Sequence, residues 1–226
     1  MTLLAPTDLD RPLSAAMREG SQAEHRDAEG SAFMTELLAG RIGPAGYAAY
    51  LLRLRQVYDT METTARQLQH HPAVAAVLDP ALERVPAIDA DLDHWVGLDP
   101  TLDLDAVRAV GSPAAARYAA RIAATTSDPV LLVAHHYTRY LGDLSGGQAI
   151  GRILDREHEL GGRGIAFYDF SAIGKPKPYK DAYRSRLDAL GLDGAETSRV
   201  VDEVRAAFAL NQALFAELDP RGTVEA

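Results

Sequence analysis

Tyr137-Thr-Arg-Tyr-Leu-Gly-Asp-Leu-Ser-Gly-Gly-Gln148 lies within Asp128–Glu159, a segment whose apolar positions recur at helical spacing, yet Gly142, Gly146, Gly147 and Gly151 all fall inside it. A glycine in a helix interior costs up to about 1 kcal/mol against alanine, so this group of them needs a reason. Gly142 and Gly146 are four apart and share a face, which Arg139 and Asp143 border. Bare backbone on one face permits either tight helix–helix packing or close approach of a flat, bulky partner. An arginine and an aspartate rarely line a packing seam, so their presence favours a site. The glycines also predict a kink.

Working outward, the remaining chain reads as helical. A first helix is predicted from Leu13 to about Glu29 with Ser14 as cap, then a short one at Ala32–Leu38. A long helix follows from Pro44 to His70, with Tyr47, Leu51, Leu54, Tyr58, Met61 and Leu68 as its buried positions. Pro72–Pro100 reads as short helices interrupted by prolines, and Ser112–Thr126 as another helix. Asp128-Pro129 is expected to be a capped helix start. Two helices, Tyr179–Leu190 and Ala195–Leu218, close the chain. The strongest strand candidate is Ile165–Phe170, inside the glycine- and proline-rich segment Gly161–Pro178. No repeat or shift of composition marks a boundary. The expectation is an all-α fold in a single compact domain spanning 1–226, with its core at about 12–218 and short flexible termini.

Composition narrows the chemistry. The 226 residues are 47% hydrophobic and 24% charged, ample for a packed core. A net charge of -9 argues against a nucleic-acid partner. The absence of cysteine excludes disulfides, thiolate metal sites and thiol nucleophiles. The opening residues lack a signal-peptide pattern, and no apolar run approaches membrane-spanning length, so a cytoplasmic protein without a membrane anchor is expected.

Two further clusters stand out. His25 and Glu29 are four apart, so the carboxylate can orient one ring nitrogen and leave the other for a metal; a surface ion pair is the plain alternative. Lys175, Lys177, Lys180, Arg184 and Arg186 put five cations within twelve positions of an acidic chain, suited to carboxylates or phosphate or to an ordinary solvated face. His70, His71, His94, His135, His136 and His158 are read as structural, with His135 the least secure because it lies near the Arg139 face.

Together these segments resemble the haem oxygenase family. Ala134-His-His-Tyr-Thr-Arg-Tyr-Leu-Gly-Asp-Leu-Ser-Gly-Gly-Gln148 is similar to its distal-helix signature almost letter for letter. Ala23-Glu-His-Arg-Asp-Ala-Glu29 with Phe33-Met34 resembles its proximal helix, and Tyr183-Arg-Ser-Arg186 and Ala207-Phe-Ala-Leu-Asn211 its last two helices. The resemblance implies His25 as proximal iron ligand oriented by Glu29, and haem pressed against Gly142, Gly146 and Gly147. It implies Arg18, Tyr137, Lys180 and Arg184 on the haem propionates. Asp143 would order distal water with Arg139, Tyr58, Asn211 and Tyr118, and Phe208 would wall the pocket. Position 18 is arginine where lysine also occurs in the family, and the charge is kept. Haem would be both cofactor and substrate, opened at the α-meso carbon by O₂ to biliverdin, CO and Fe²⁺. No flavin or nicotinamide fingerprint appears, so the electrons would come from a ferredoxin or an NAD(P)H-dependent reductase. The end of the chain near residue 226 without an apolar tail is similar to the soluble bacterial type, expected as a monomer or weak dimer.

Three other readings are weaker. Thiamin-degrading enzymes of this fold use a cysteine. A di-iron oxidase would need inward Glu-x-x-His pairs. A non-enzymatic haem carrier could use His25 and the basic cluster but has no need of Asp143 and Arg139 beside bare glycines.

Overall fold

A computed structural model describes residues 11–109 and 111–218. The expected flexible termini fall on 1–10 and 219–226, outside the described residues. The elements are α1 (Leu13–Gly20), α2 (Gln22–Glu29), α3 (Ala32–Leu38), α4 (Pro44–Gln67), α5 (Pro72–Val77), α6 (Val85–Gly97), α7 (Leu104–Ala109), α8 (Pro113–Ala124), α9 (Leu132–His136), α10 (Gln148–Glu157), α11 (Pro176–Asp188) and α12 (Gly194–Ala216). The fold is all-α, with no strand among the described residues. Between α9 and α10 the chain stays helical but widens into two π-helical turns, Tyr137–Leu141 and Asp143–Gly147, and we call the whole run the distal helix. The predicted kink is thus a pair of π turns, a feature common at functional sites.

α4 is the central element, its apolar face packed on α6 and α8. Tyr47, Leu51, Leu54, Tyr58 and Met61 are buried there, as the 3.6-residue spacing predicts, but α4 ends at Gln67 rather than His70 and leaves Leu68 at its end only partly buried. α12 packs on α1, α2, α8 and α9 and so ties the N-terminal helices to the distal helix. Aromatic rings fill the space between: Tyr47 lies 4.6 Å from Trp95, Phe33 5.2 Å from Tyr50, and Tyr58 5.5 Å from both Tyr140 and Phe167.

The first helix is not continuous: it breaks at Ser21, whose hydroxyl donates back to the Met17 carbonyl at 2.8 Å, while Arg205 donates to the Gly20 carbonyl at 2.7 Å. Ser14 is not a cap but a buried residue of α1, and its backbone N–H and hydroxyl both donate to Asp188 of α11, at 2.8 and 3.0 Å. Asp128 makes no capping hydrogen bond, and a 3₁₀ turn, Pro129–Leu131, precedes α9. Ile165–Phe170 is no strand but a 3₁₀ turn at Ala166–Tyr168. Its backbone groups are satisfied by side chains rather than by a neighbouring strand. Asp91 of α6 accepts from the Ala166 and Phe167 N–H groups at 2.8 and 2.7 Å, Trp95 donates to the Gly164 carbonyl at 2.6 Å, and Arg84 donates to that of Asp169 at 2.5 Å.

The histidines flanking the distal helix are structural. Burial pushes His136 down to about 3, and its neutral ring pairs with the Tyr183 hydroxyl at 2.8 Å. His135 lies 2.8 Å from Glu203 of α12, which also accepts from Nε of Arg121 on α8 at 2.8 Å. His71 caps α5, accepting from the Ala73 N–H at 3.3 Å, rather than ending α4, and His158 contacts the Ile42 carbonyl at 3.0 Å.

Burial alone would raise the Glu203 carboxyl, but the hydrogen bonds from Arg121 and His135 outweigh it and hold it at about 2. Because that lies below the ordinary 4.5, the stabilisation is complete above 4.5 and is lost as the pH falls toward about 2. Thermal unfolding followed by circular dichroism should show Tm falling through that window. Glu203→Gln should lower Tm at neutral pH and flatten the acid slope; an unchanged slope would place the acid sensitivity elsewhere.

Candidate active site

The distal helix and α2 border a cavity of about 690 Å³, within the roughly 300–1,000 Å³ range of ligand pockets. From α2 come His25 and Glu29, with Nδ1 of His25 3.5 Å from the carboxylate. Nε2 takes no part in that contact. Phe208 of α12 meets the His25 ring edge-on at 5.4 Å, fixing it from the side. Among the described residues no group of three or more His, Asp or Glu side chains is placed to hold a metal ion.

From the distal helix, Gly142, Gly146 and Gly147 line the cavity. The glycines prove to be of two kinds. A Cβ at Gly142 or Gly146 would meet nothing within 4 Å, whereas one at Gly147 would lie 2.9 Å from Tyr168 and one at Gly151 3.2 Å from it. Packing accounts for the second pair. The first pair keeps a strip of backbone open on the cavity.

Asp143 and Arg139 stand beside that strip and are both buried. Tyr58 donates a short hydrogen bond to one Asp143 oxygen; Arg139 lies 3.4 Å from the other and donates to Asn211 at 2.9 Å and to the Tyr58 hydroxyl at 3.2 Å. Burial raises the Asp143 carboxyl, against the pull of Arg139 and Tyr58, which stabilise its charged form. Tyr58 is fully buried behind Asp143 and does not itself line the cavity. Tyr118 makes no hydrogen bond to Asp143 or Arg139; its buried hydroxyl has no partner among the described residues.

Arg18, Tyr137 and Arg184 line the cavity too. Burial raises the Tyr137 phenol while Arg184 and Arg18 oppose it, so two chain segments, α11 and α1, bring cations around one hydroxyl. Lys180 does not line the cavity but reaches its rim, donating to the Ser145 hydroxyl of the distal helix at 3.1 Å. Sequence reasoning gave no site role to Tyr50, Tyr168, Ile150 or Phe215, all of which line the cavity. Tyr50 could have been found at helical spacing, three residues after Tyr47 and four before Leu54. Tyr168 could not, since it sits in the segment expected as a strand.

The chain matches the family model described as "Heme oxygenase" over residues 11–217. The chain belongs to the haem oxygenase family. It is 36% identical to heme oxygenase 1 of Synechocystis over 207 residues, covering 92% of this chain and 85% of that one. It is 35% identical to human heme oxygenase 1 over 217 residues, covering 94% and 74%. Among solved structures it resembles heme oxygenase-1 of Synechocystis in complex with heme, with a TM-score of 0.85, 34% identity and 92% of each chain covered. The Leptospira interrogans heme oxygenase gives the same TM-score at 34% identity, covering 92% of this chain and all of the other.

The two kinds of glycine predict opposite stability effects in the ligand-free chain. Gly147→Ala should lose about 1–3 kcal/mol by overpacking against Tyr168. Gly142→Ala should be neutral or gain up to about 1 kcal/mol from helix propensity. Urea unfolding of both variants checks this, and equal destabilisation would refute the distinction.

Proposed function

We propose that this cavity binds haem and opens it at the α-meso carbon, yielding biliverdin, CO and Fe²⁺. Membership of the haem oxygenase family carries the reaction class. The finer reading rests on one observation: an imidazole with a free Nε2 and a buried, hydrogen-bonded carboxyl line the same cavity beside a strip of bare backbone. These residues fit haem. Gly142 and Gly146 would admit a flat ring against the helix, Gly147 lines the same cavity, and the Arg18, Tyr137, Lys180 and Arg184 group suits two propionates. When bound, haem supplies both the iron that activates O₂ and the ring that is opened.

The protein's part is positioning and proton control. His25 offers its Nε2 nitrogen, and Glu29 orients the ring from the Nδ1 side. Phe208 restricts its rotation and walls the cavity. Arg139, Tyr58 and Asn211 hold Asp143 in one orientation, and burial favours its protonated form. Asp143 can therefore deliver a proton through ordered water rather than by direct contact. Tyr118 stands behind this network with a hydroxyl free to extend it. Arg139 is committed to Asn211, Tyr58 and Asp143, so it orients the carboxyl rather than acting as an acid.

Electrons come from a separate ferredoxin or NAD(P)H-dependent reductase, for which the basic Lys175–Arg186 region offers a docking surface close to the rim. No helix among the described residues is long and apolar enough to cross a membrane. We place the protein in the cytoplasm as a single domain, monomeric or weakly dimeric.

Haem added with ascorbate or a ferredoxin–reductase couple under air should lose its Soret band as biliverdin absorption and trapped CO appear; a stable complex would indicate a carrier. Asp143→Ala should bind haem normally yet form biliverdin about a hundredfold more slowly, the scale of a lost acid–base group. Normal turnover would remove Asp143 from this role. His25→Ala should lose the nitrogen-ligated haem spectrum, and an unchanged spectrum would move the ligand elsewhere.

A further inference from the structure

Three further tyrosines lie at the same cavity, and Tyr50 among them reaches Arg139 of the Tyr58–Arg139–Asn211 network. Tyr50 and Tyr168 line it, and Tyr47 is fully buried with its ring 6.1 Å from that of Tyr50. The Tyr47 and Tyr168 hydroxyls are both buried and face each other, and neither meets any other hydrogen-bonding group among the described residues. In such a pair one phenol donates to the other, so the accepting phenol's own O–H is still buried without an acceptor, which calls for an explanation.

Packing alone does not supply it. Tyr47 packs at a tilt against Trp95 and the Tyr168 ring fills the notch left by Gly147 and Gly151, but phenylalanine would do both without the hydroxyl. Burial raises all three phenols, and the Asp143 carboxylate of the site adds to this for each of them; Asp91 of α6 does so for Tyr47, and the Arg139 guanidinium opposes it for Tyr50. Tyr168 also lines a second, outer cleft of about 500 Å³ that includes Gln148, Arg152 and Phe170. One side chain thus forms part of the wall of both spaces.

We propose that Tyr168, Tyr47 and Tyr50 are positioning residues that hold a second file of water against Asp143, leading from the outer cleft past Tyr168. The paired hydroxyls donate to and accept from that water, which satisfies them, and Asp143 is re-protonated from this side as well as through the Tyr58 network. This rests on the reading of Asp143 as the group that delivers protons through water.

The test uses the full chain with haem and the variants Tyr168→Phe, Tyr47→Phe and Tyr50→Phe, each of which keeps its ring. Three quantities are read: Tm of the haem-free chain, the pH midpoint of the visible-spectrum transition of the ferric haem complex, and the solvent isotope effect on biliverdin formation. Tyr168→Phe and Tyr47→Phe should shift the midpoint by about 0.5 pH unit or more, a threefold change in proton affinity. They should also enlarge the isotope effect, with haem affinity and Tm retained. A midpoint and isotope effect equal to wild type would show that the phenols only pack, as would a fall in Tm with the midpoint unmoved. Asp143→Ala in the same assay separates the two levels. If it moves the midpoint and the tyrosine variants do not, only the second file of water falls. If it moves nothing, the reading of Asp143 falls and takes this inference with it.

Discussion

Everything at this site depends on a carboxyl and a guanidinium buried together one helical turn apart. Asp143 and Arg139 are each less than a tenth exposed, and neither could be placed there alone without a large desolvation cost. Mutual attraction covers only part of that cost. Tyr58 from α4 and Asn211 from α12 complete the hydrogen bonding, so the pair exists only where three helices meet. The packing of α4 and of α12 against the distal helix is a condition for the chemistry as much as for the core.

The distal helix meets conflicting demands by changing its pitch. It must bury Tyr140 and Leu144, present Asp143 and Arg139 to a polar network, and leave Gly142 and Gly146 facing the cavity. The two π turns widen the spacing of side chains and let neighbouring residues serve these different surroundings. Polar pairs outside the cavity then hold the helix in place: His135 to Glu203 on one side and His136 to Tyr183 on another. The two histidines most easily mistaken for ligands are its fastenings.

Much of this is legible in the sequence. Helical periodicity gave the long helices, because α4 and α12 bury their faces along their whole length. The bare face of Gly142 and Gly146 beside Arg139 and Asp143 was visible from spacing, since residues four apart in a helix must be neighbours. What escaped was set by distant partners. Asp188 turns Ser14 from a cap into a buried anchor, and Ser21 ends α1 by bonding back to Met17. Gly147 looked like its neighbours Gly142 and Gly146, and only Tyr168 across the gap gives it a packing role. Tyr168 itself was hidden because Ile165–Phe170 has the residue types of a strand, and nothing local announces that Asp91 takes the hydrogen bonds a strand would have needed.

That carboxylate has a mechanical consequence. Asp91 sits on α6, which contributes no residue to the lining of the cavity, yet it grips the backbone of Ala166 and Phe167, and Tyr168 follows directly in the chain. With Trp95 holding Gly164 from the same helix, α6 acts as a strut: a displacement along it is carried through the turn into the ring wedged against Gly147 and Gly151. The shape of the cavity is therefore governed in part from a helix that never touches it.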